Sequence, residues 1–156
     1  MEAQRVSHSL VQTLCAIPDF STLDDDTLLV IVGESMNLFW REGSRIFEQG
    51  TPGDALYVIL SGHIAIHDGD SVEGHVVAEL GPNDYFGELS LLLNTTHSKT
   101  ATALSDCELL VLPKAAFVRL LEEHPKLQAH FEQVLEEGGH RQILSRGTTK
   151  RRMTVR

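Results

Sequence analysis

Apolar positions change their period twice along the chain. Over residues 6–16, Val6, Leu10, Val11, Leu14 and Cys15 recur at helical spacing. Ile17-Pro18-Asp19-Phe20 then stops that helix and turns the chain. A second helix is predicted from Asp24, a capping residue with two more acids in the first turn, through Leu28, Leu29, Ile31 and Val32. From about Met36 the period becomes two. Leu38 and Trp40, then Ile46, open a strand region that continues through 55–60, 62–67 and 76–80 and resumes over 100–104 and 107–112. Gly43, Gly50, Pro52-Gly53, Gly62, Asp68-Gly69 and Gly81-Pro82 punctuate these runs at short intervals. That rhythm predicts a mainly β fold: a small, jelly-roll-like antiparallel β-roll. Helical period returns after Pro113, with Phe117, Leu120 and Leu121 on one face. Pro125 starts a further helix carrying Leu127, Phe131, Val134 and Leu135, which Gly138-Gly139 breaks and Ile143-Leu144 resumes. The chain thus divides into an N-terminal helical segment (1–36), a roll (37–112), C-terminal helices (113–146) and a tail (147–156).

Bulk properties narrow the class. A chain of 156 residues, 42% hydrophobic and 22% charged, suits one globular domain. No apolar run approaches a membrane span and the N-terminus lacks a secretory pattern, so a cytoplasmic location is expected. Cys15 and Cys107 are too few for a disulfide framework and read as small buried apolar residues. The net charge of −9 conceals an asymmetry: all 22 acidic residues precede residue 141, whereas Arg141, Arg146, Lys150, Arg151, Arg152 and Arg156 crowd the end. An acidic body argues against a DNA-binding face on the folded module. The basic tail reads as a solvated terminus or linker.

One segment carries chemistry. In Phe86-Gly87-Glu88-Leu89-Ser90-Leu91-Leu92, a glycine lets the backbone approach a ligand, and the next carboxylate can accept hydrogen bonds from a sugar hydroxyl. The apolar residues beyond it form a helical turn whose free N–H groups face an anion. Together they suit a ribose and a phosphate. Upstream lie Phe47-x-x-Gly50-x-x-Gly53-Asp54-x-x-Tyr57-x-Ile59-x-x-Gly62 and Leu80-Gly81-Pro82-x-Asp84-Tyr85; downstream runs Cys107-Glu108-Leu109-Leu110-Val111-Leu112.

On these motifs the chain, over roughly residues 10 to 135, resembles the cyclic nucleotide-binding domain family of cyclic-nucleotide-dependent kinases, catabolite-activator-type regulators and gated channels. The resemblance implies a phosphate-binding cassette at 86–99. Gly87, Leu89 and Ser90 would offer backbone N–H groups to the phosphate, and Glu88 would take the ribose 2′-hydroxyl. It also implies a hinge near His124-Pro125 and a C-terminal lid presenting Leu127, Phe131 and Leu135. The family's cassette ends in an arginine that pairs with the phosphate; here it is missing. Without gaps its place falls on His97, followed by Ser98; with two inserted residues it falls on Lys99, followed by Thr100, whose hydroxyl could reach a guanine. Either replacement gives up a planar fork of donors. A charge-assisted hydrogen bond is worth roughly 1.5–3 kcal/mol, so its loss weakens binding about ten- to a hundredfold.

The expected role is therefore a non-catalytic sensor, with cAMP the leading ligand and cGMP second, no cofactor, and an effector in a partner or a larger parent chain. The terminal helices are a candidate surface for homodimer formation. The alternative is a ligand-free structural or protein-interaction domain on the same fold. A metal site is disfavoured: His63, His67 and His75 lie in the strand region, His63 and His67 on one face, but they read as surface residues. No Ser-His-Asp set, paired carboxylates or triphosphate loop is found.

Overall fold

A computed structural model describes residues 10–17, 20–21, 23–69 and 75–136, without the side chains of Leu89 and of residues 134–136. The start of the first predicted helix, its Pro18-Asp19 stop, the Gly138-Gly139 break, Ile143-Leu144 and the basic tail lie outside the described residues.

The helix α1 is seen over residues 10–15. Next comes α2 (Asp25–Glu34), capped as expected: the Asp24 carboxylate accepts from the Thr27 N–H at 2.9 Å. Two four-stranded antiparallel sheets follow. One has the order β1 (Met36–Trp40), β8 (Cys107–Pro113), β3 (Ala55–Ser61), β6 (Tyr85–Phe86). The other has the order β2 (Arg45–Phe47), β7 (Thr100–Ala103), β4 (Ile64–Asp68), β5 (His75–Leu80). A short helix, α3 (Glu88–Leu93), bridges β6 and β7, and α4 (Lys114–Glu123) and α5 (Pro125–Glu136) close the described chain. This is the antiparallel roll with terminal helices that the period-two runs predict.

The two faces of the first sheet explain why β3 and β8 read as continuous apolar runs. Leu56, Val58, Leu110 and Leu112 pack outward against Phe20, Leu28, Ile31, Phe117, Leu127 and Phe131 of the helical layer. Tyr57, Ile59, Leu109 and Val111 point into the roll, against Ile64, Ile66, Leu80, Phe86 and Ala101. Both faces are covered, so no polar alternation survives. Tyr85 and Phe86 divide the same way, Tyr85 to the helices and Phe86 to the interior. Their two-residue strand was not expected from sequence, being too short to show a period.

Three expectations need correction. Residue 62 is no part of a strand: Gly62 sits at φ 88°, where a Cβ would lie 2.7 Å from the Cys107 sulfur. His67 is not at the surface but fully buried, its Nε2 2.9 Å from the Thr102 hydroxyl and its Nδ1 3.3 Å from the Asp68 carbonyl. A register shift between Ile66 and His67 interrupts simple alternation there, and the two polar partners satisfy the ring inside. Cys15 is exposed, whereas Cys107 is buried with its thiol bonded to the His63 and Ser105 carbonyls.

Candidate functional site

The cassette is held by close backbone approaches. Gly87 caps α3 at φ 91°, and a Cβ there would stand 2.8 Å from the Ala55 carbonyl and 3.0 Å from the Tyr57 ring. A side chain is excluded by conformation and by space together. Behind the helix, Gly53 lies so close to Ser90 that a Cβ would fall onto the serine Cβ. Its glycine thus serves packing against the cassette, not a turn. Asn94, at φ 54°, ends α3 with its N–H on the Leu91 and Ser90 carbonyls. Lys114 reaches across from α4 to the Asn94 side chain.

A cavity of about 320 Å³ opens on the inner side of this segment. One wall is apolar: Phe47, Ile66, Val77, Phe86 and Leu93. The other is made by Gly87 and Ser90 of the cassette and by the 95–99 stretch that returns to β7. The volume falls at the lower end of the roughly 300–1,000 Å³ common for small-ligand sites. A planar base suits the first wall and a polar sugar or anion the second.

His97 is the polar centre of the second wall. It is 3% exposed; its Nδ1 lies 2.9 Å from the Ser90 hydroxyl, and its ring stacks on Phe47 at 3.5 Å between centroids with planes 3° apart. The backbone of His97 is fixed as well, donating to the Thr51 carbonyl and accepting from the Gly50 N–H. Its Nε2 is buried without a hydrogen-bond partner. Burial pushes the imidazole below its ordinary value of 6.5, against the pull of the Asp54 carboxylate, so the ring is neutral at pH 7. Asp54 itself receives the Tyr57 hydroxyl at 3.2 Å, and burial followed by the Asp54 charge raises that phenol's pKa.

The other expected residues divide. Lys99 lines the cavity, yet its ammonium pairs with Asp68 at 3.0 Å. Ser98 lines it from an exposed position. Thr100 is buried away from the cavity walls and accepts from the Gln49 N–H at 3.0 Å. Glu88 is fully buried in the first turn of α3 and is not among the lining residues, so a ribose would reach it only by displacing its present surroundings. Leu89 contributes helical backbone. The helix expected to serve as a lid has a seat of its own here. Leu127 and Phe131 are buried in the helical core beside Tyr85 and Phe117, and among the described residues none of α4 or α5 lines the cavity; the Leu135 side chain lies outside the described residues. The apolar wall was missed from sequence because Phe47, Ile66 and Val77 lie on three separate strands and converge only through sheet pairing. Thr95 and Thr96 sit inside the expected cassette but carried no distinguishing signal.

Roll, cassette and cavity together define a small-ligand regulatory module. The family profile described as "Cyclic nucleotide-binding domain" matches residues 38–124, more than half of the chain, and the chain belongs to that family. The family is regulatory and ligand-binding, not catalytic. The cAMP-dependent protein kinase regulatory subunit of Dictyostelium discoideum is 36% identical over 85 residues, 52% of this chain and 26% of that protein. The chain spans about a quarter or less of the length of the curated relatives it matches. Among solved structures, the sensor domain of the transcriptional regulator DNR from Pseudomonas aeruginosa superposes with a TM-score of 0.75 at 25% identity, covering 92% of this chain and 95% of that one. The regulatory subunit of a cAMP-independent protein kinase A from Trypanosoma brucei superposes with a TM-score of 0.70 at 26% identity, covering 85% and 49%. No described helix is long and apolar enough to cross a membrane. Among the described residues no group of three His, Cys, Asp or Glu side chains is placed to hold a metal ion.

Proposed function

We propose that this domain is a sensor that takes a cyclic mononucleotide, cAMP ahead of cGMP, into the 320 Å³ cavity and passes the event to α5. The observation that carries the reading is the double role of α3. Ser90 faces the cavity, while Leu91, the next residue, is buried in the same core cluster as Phe131 of α5. A ligand that draws Gly87 and Ser90 toward an anion moves a helix already packed against the C-terminal layer. Such a shift biases a two-state arrangement only if the ligand prefers one state, which requires α5 to leave or retain its seat with α3. Glu88 would exchange its buried surroundings for the ribose hydroxyls in that state. The regulated effector belongs to a partner or a larger chain.

The test is hydrogen exchange with and without cAMP. The reading expects added protection over α3 together with altered exchange over α5, and loss of both in Glu88→Gln, which keeps the shape but not the charge. Protection confined to the cavity walls, with α5 unchanged, would sink the coupling.

A second reading is favoured by the electrostatics: the cavity presents no free fixed cation among its described lining residues, since Lys99 is held by Asp68 and His97 is neutral. On that reading the roll is a ligand-free interaction domain. Absence of any cAMP or cGMP effect at millimolar ligand would select it.

A further inference from the structure

The missing arginine leaves an unusual arrangement in the polar wall. His97 is held at one ring face, at one ring nitrogen and along its backbone: Phe47 lies flat against it, Ser90 holds Nδ1, and both backbone groups are bonded to the 50–51 turn. The ring is therefore fixed, buried and set in the cavity wall, with Nε2 left without a partner. A buried imidazole nitrogen without a bond is costly, by the desolvation of the group. In a ligand-binding wall it marks a place where a ligand atom completes the set.

We infer that Ser90 and His97 form a proton-coupled anion relay, in which an anionic ligand group draws one proton from solvent onto His97, which then donates from Nε2 to the ligand and from Nδ1 to Ser90. The inference rests on the reading that the cavity takes a nucleotide. Neutral His97 can accept the Ser90 hydroxyl proton at Nδ1 or donate to its oxygen. Imidazolium leaves one arrangement: Nδ1–H donates, and the serine proton turns outward, where it becomes a second donor for the ligand. One proton taken up thus recruits two donors and one positive charge, replacing part of an arginine fork.

The surrounding charges fit this role. Asp54 acts on the ring and favours its cationic form, although burial outweighs it without ligand. From α3, the acid is Glu88, two residues before Ser90; from the β2 side, Glu48 is paired with Arg45 beyond Phe47. Tyr57 is engaged with Asp54, and Lys99, two residues on, is engaged with Asp68. Among the described residues no arginine lines the cavity, so the entering anion supplies the decisive shift. Ligand raises the His97 pKa from its depressed free value. Between the free and bound values, affinity then falls about tenfold per pH unit as pH rises, and it levels off below the free value.

The experiment is calorimetric titration of cAMP into nucleotide-stripped protein between about pH 5.5 and 8, in two buffers of different ionisation enthalpy, with wild type and His97→Arg. The expected result is wild-type affinity that weakens with rising pH, with up to one proton taken up, and a His97→Arg variant whose affinity is flat and about ten- to a hundredfold tighter at the alkaline end. Wild-type binding without pH dependence or proton uptake overturns the relay and leaves the cavity reading standing. Binding by His97→Arg alone, with none by wild type at any pH, also overturns the relay. No binding by either protein at any pH removes the cavity reading and the relay with it. Should His97→Arg fail to fold, the wild-type slope and proton count decide by themselves.

Discussion

At the scale of single residues, the glycines separate into two kinds that look alike in the sequence. Gly50 and Gly62 both adopt φ near 90°, but a Cβ at Gly50 meets nothing within 4 Å, whereas at Gly62 it meets the Asp106 carbonyl and Cys107. Gly50→Ala should cost only the backbone term, about 1–2 kcal/mol, and Gly62→Ala roughly 2–5 kcal/mol once overpacking is added. Urea melts of the two variants check the contrast. His97 gives a second prediction. The unfolded chain takes up its proton near the ordinary value of 6.5, the folded ligand-free chain only below it. Unfolding therefore gains protons, so the His97 contribution to stability is complete above about pH 6.5 and is lost as pH falls toward the folded value. Melts of wild type should lose more stability than those of His97→Gln between neutral pH and about pH 5.5. Equal slopes would mean that the ring is not held neutral. At this scale the sequence was least legible. It left His97 and Lys99 open as replacements for the arginine, because the choice depends on where Phe47, Ser90 and Asp68 stand in space.

At the scale of elements, the signals that survived folding were those with a long enough period. Asp24 marked the start of α2, and the period-two runs located β1, β3, β5 and β8 to within a residue or two. Tyr85–Phe86 was invisible as a strand because two residues carry no period, and His67 was placed outside because a register shift cannot be read from spacing. The seat of α5 is not legible in the sequence for a different reason. Leu127 and Phe131 form an apolar stripe, but a stripe does not say which surface it covers. Here it covers the helical layer, where Phe131 meets Phe20, Tyr85 and Phe117 with ring centroids 6.3, 6.4 and 5.2 Å away. Phe131→Ala should cost about 3–5 kcal/mol if α5 keeps this seat in the free protein. A much smaller loss in thermal melts would place α5 largely off the core before any ligand arrives.

At the scale of the whole molecule, the roll was readable because its two sheets need apolar residues on both faces of β3 and β8 and turns at regular glycines. The site was half readable. Gly87 and Ser90 stand out by motif, whereas the apolar wall draws Phe47, Ile66 and Val77 from β2, β4 and β5 to meet Phe86 and Leu93 of β6 and α3. The acidic composition adds a constraint that no local feature shows. A net charge of −9 disfavours entry of an anionic nucleotide at low ionic strength. That field also favours imidazolium, which aligns the molecule's charge with the proposed relay. The central claim is that the cavity beside Gly87 and Ser90 holds a cyclic nucleotide despite the lost arginine. Calorimetric titration of cAMP and cGMP into nucleotide-stripped protein in phosphate-free buffer near pH 6 tests it most directly. Saturable one-to-one binding, tighter for cAMP and abolished in Glu88→Ala, is the predicted result. No heat and no competition up to millimolar nucleotide, in a protein shown to be folded, would contradict it.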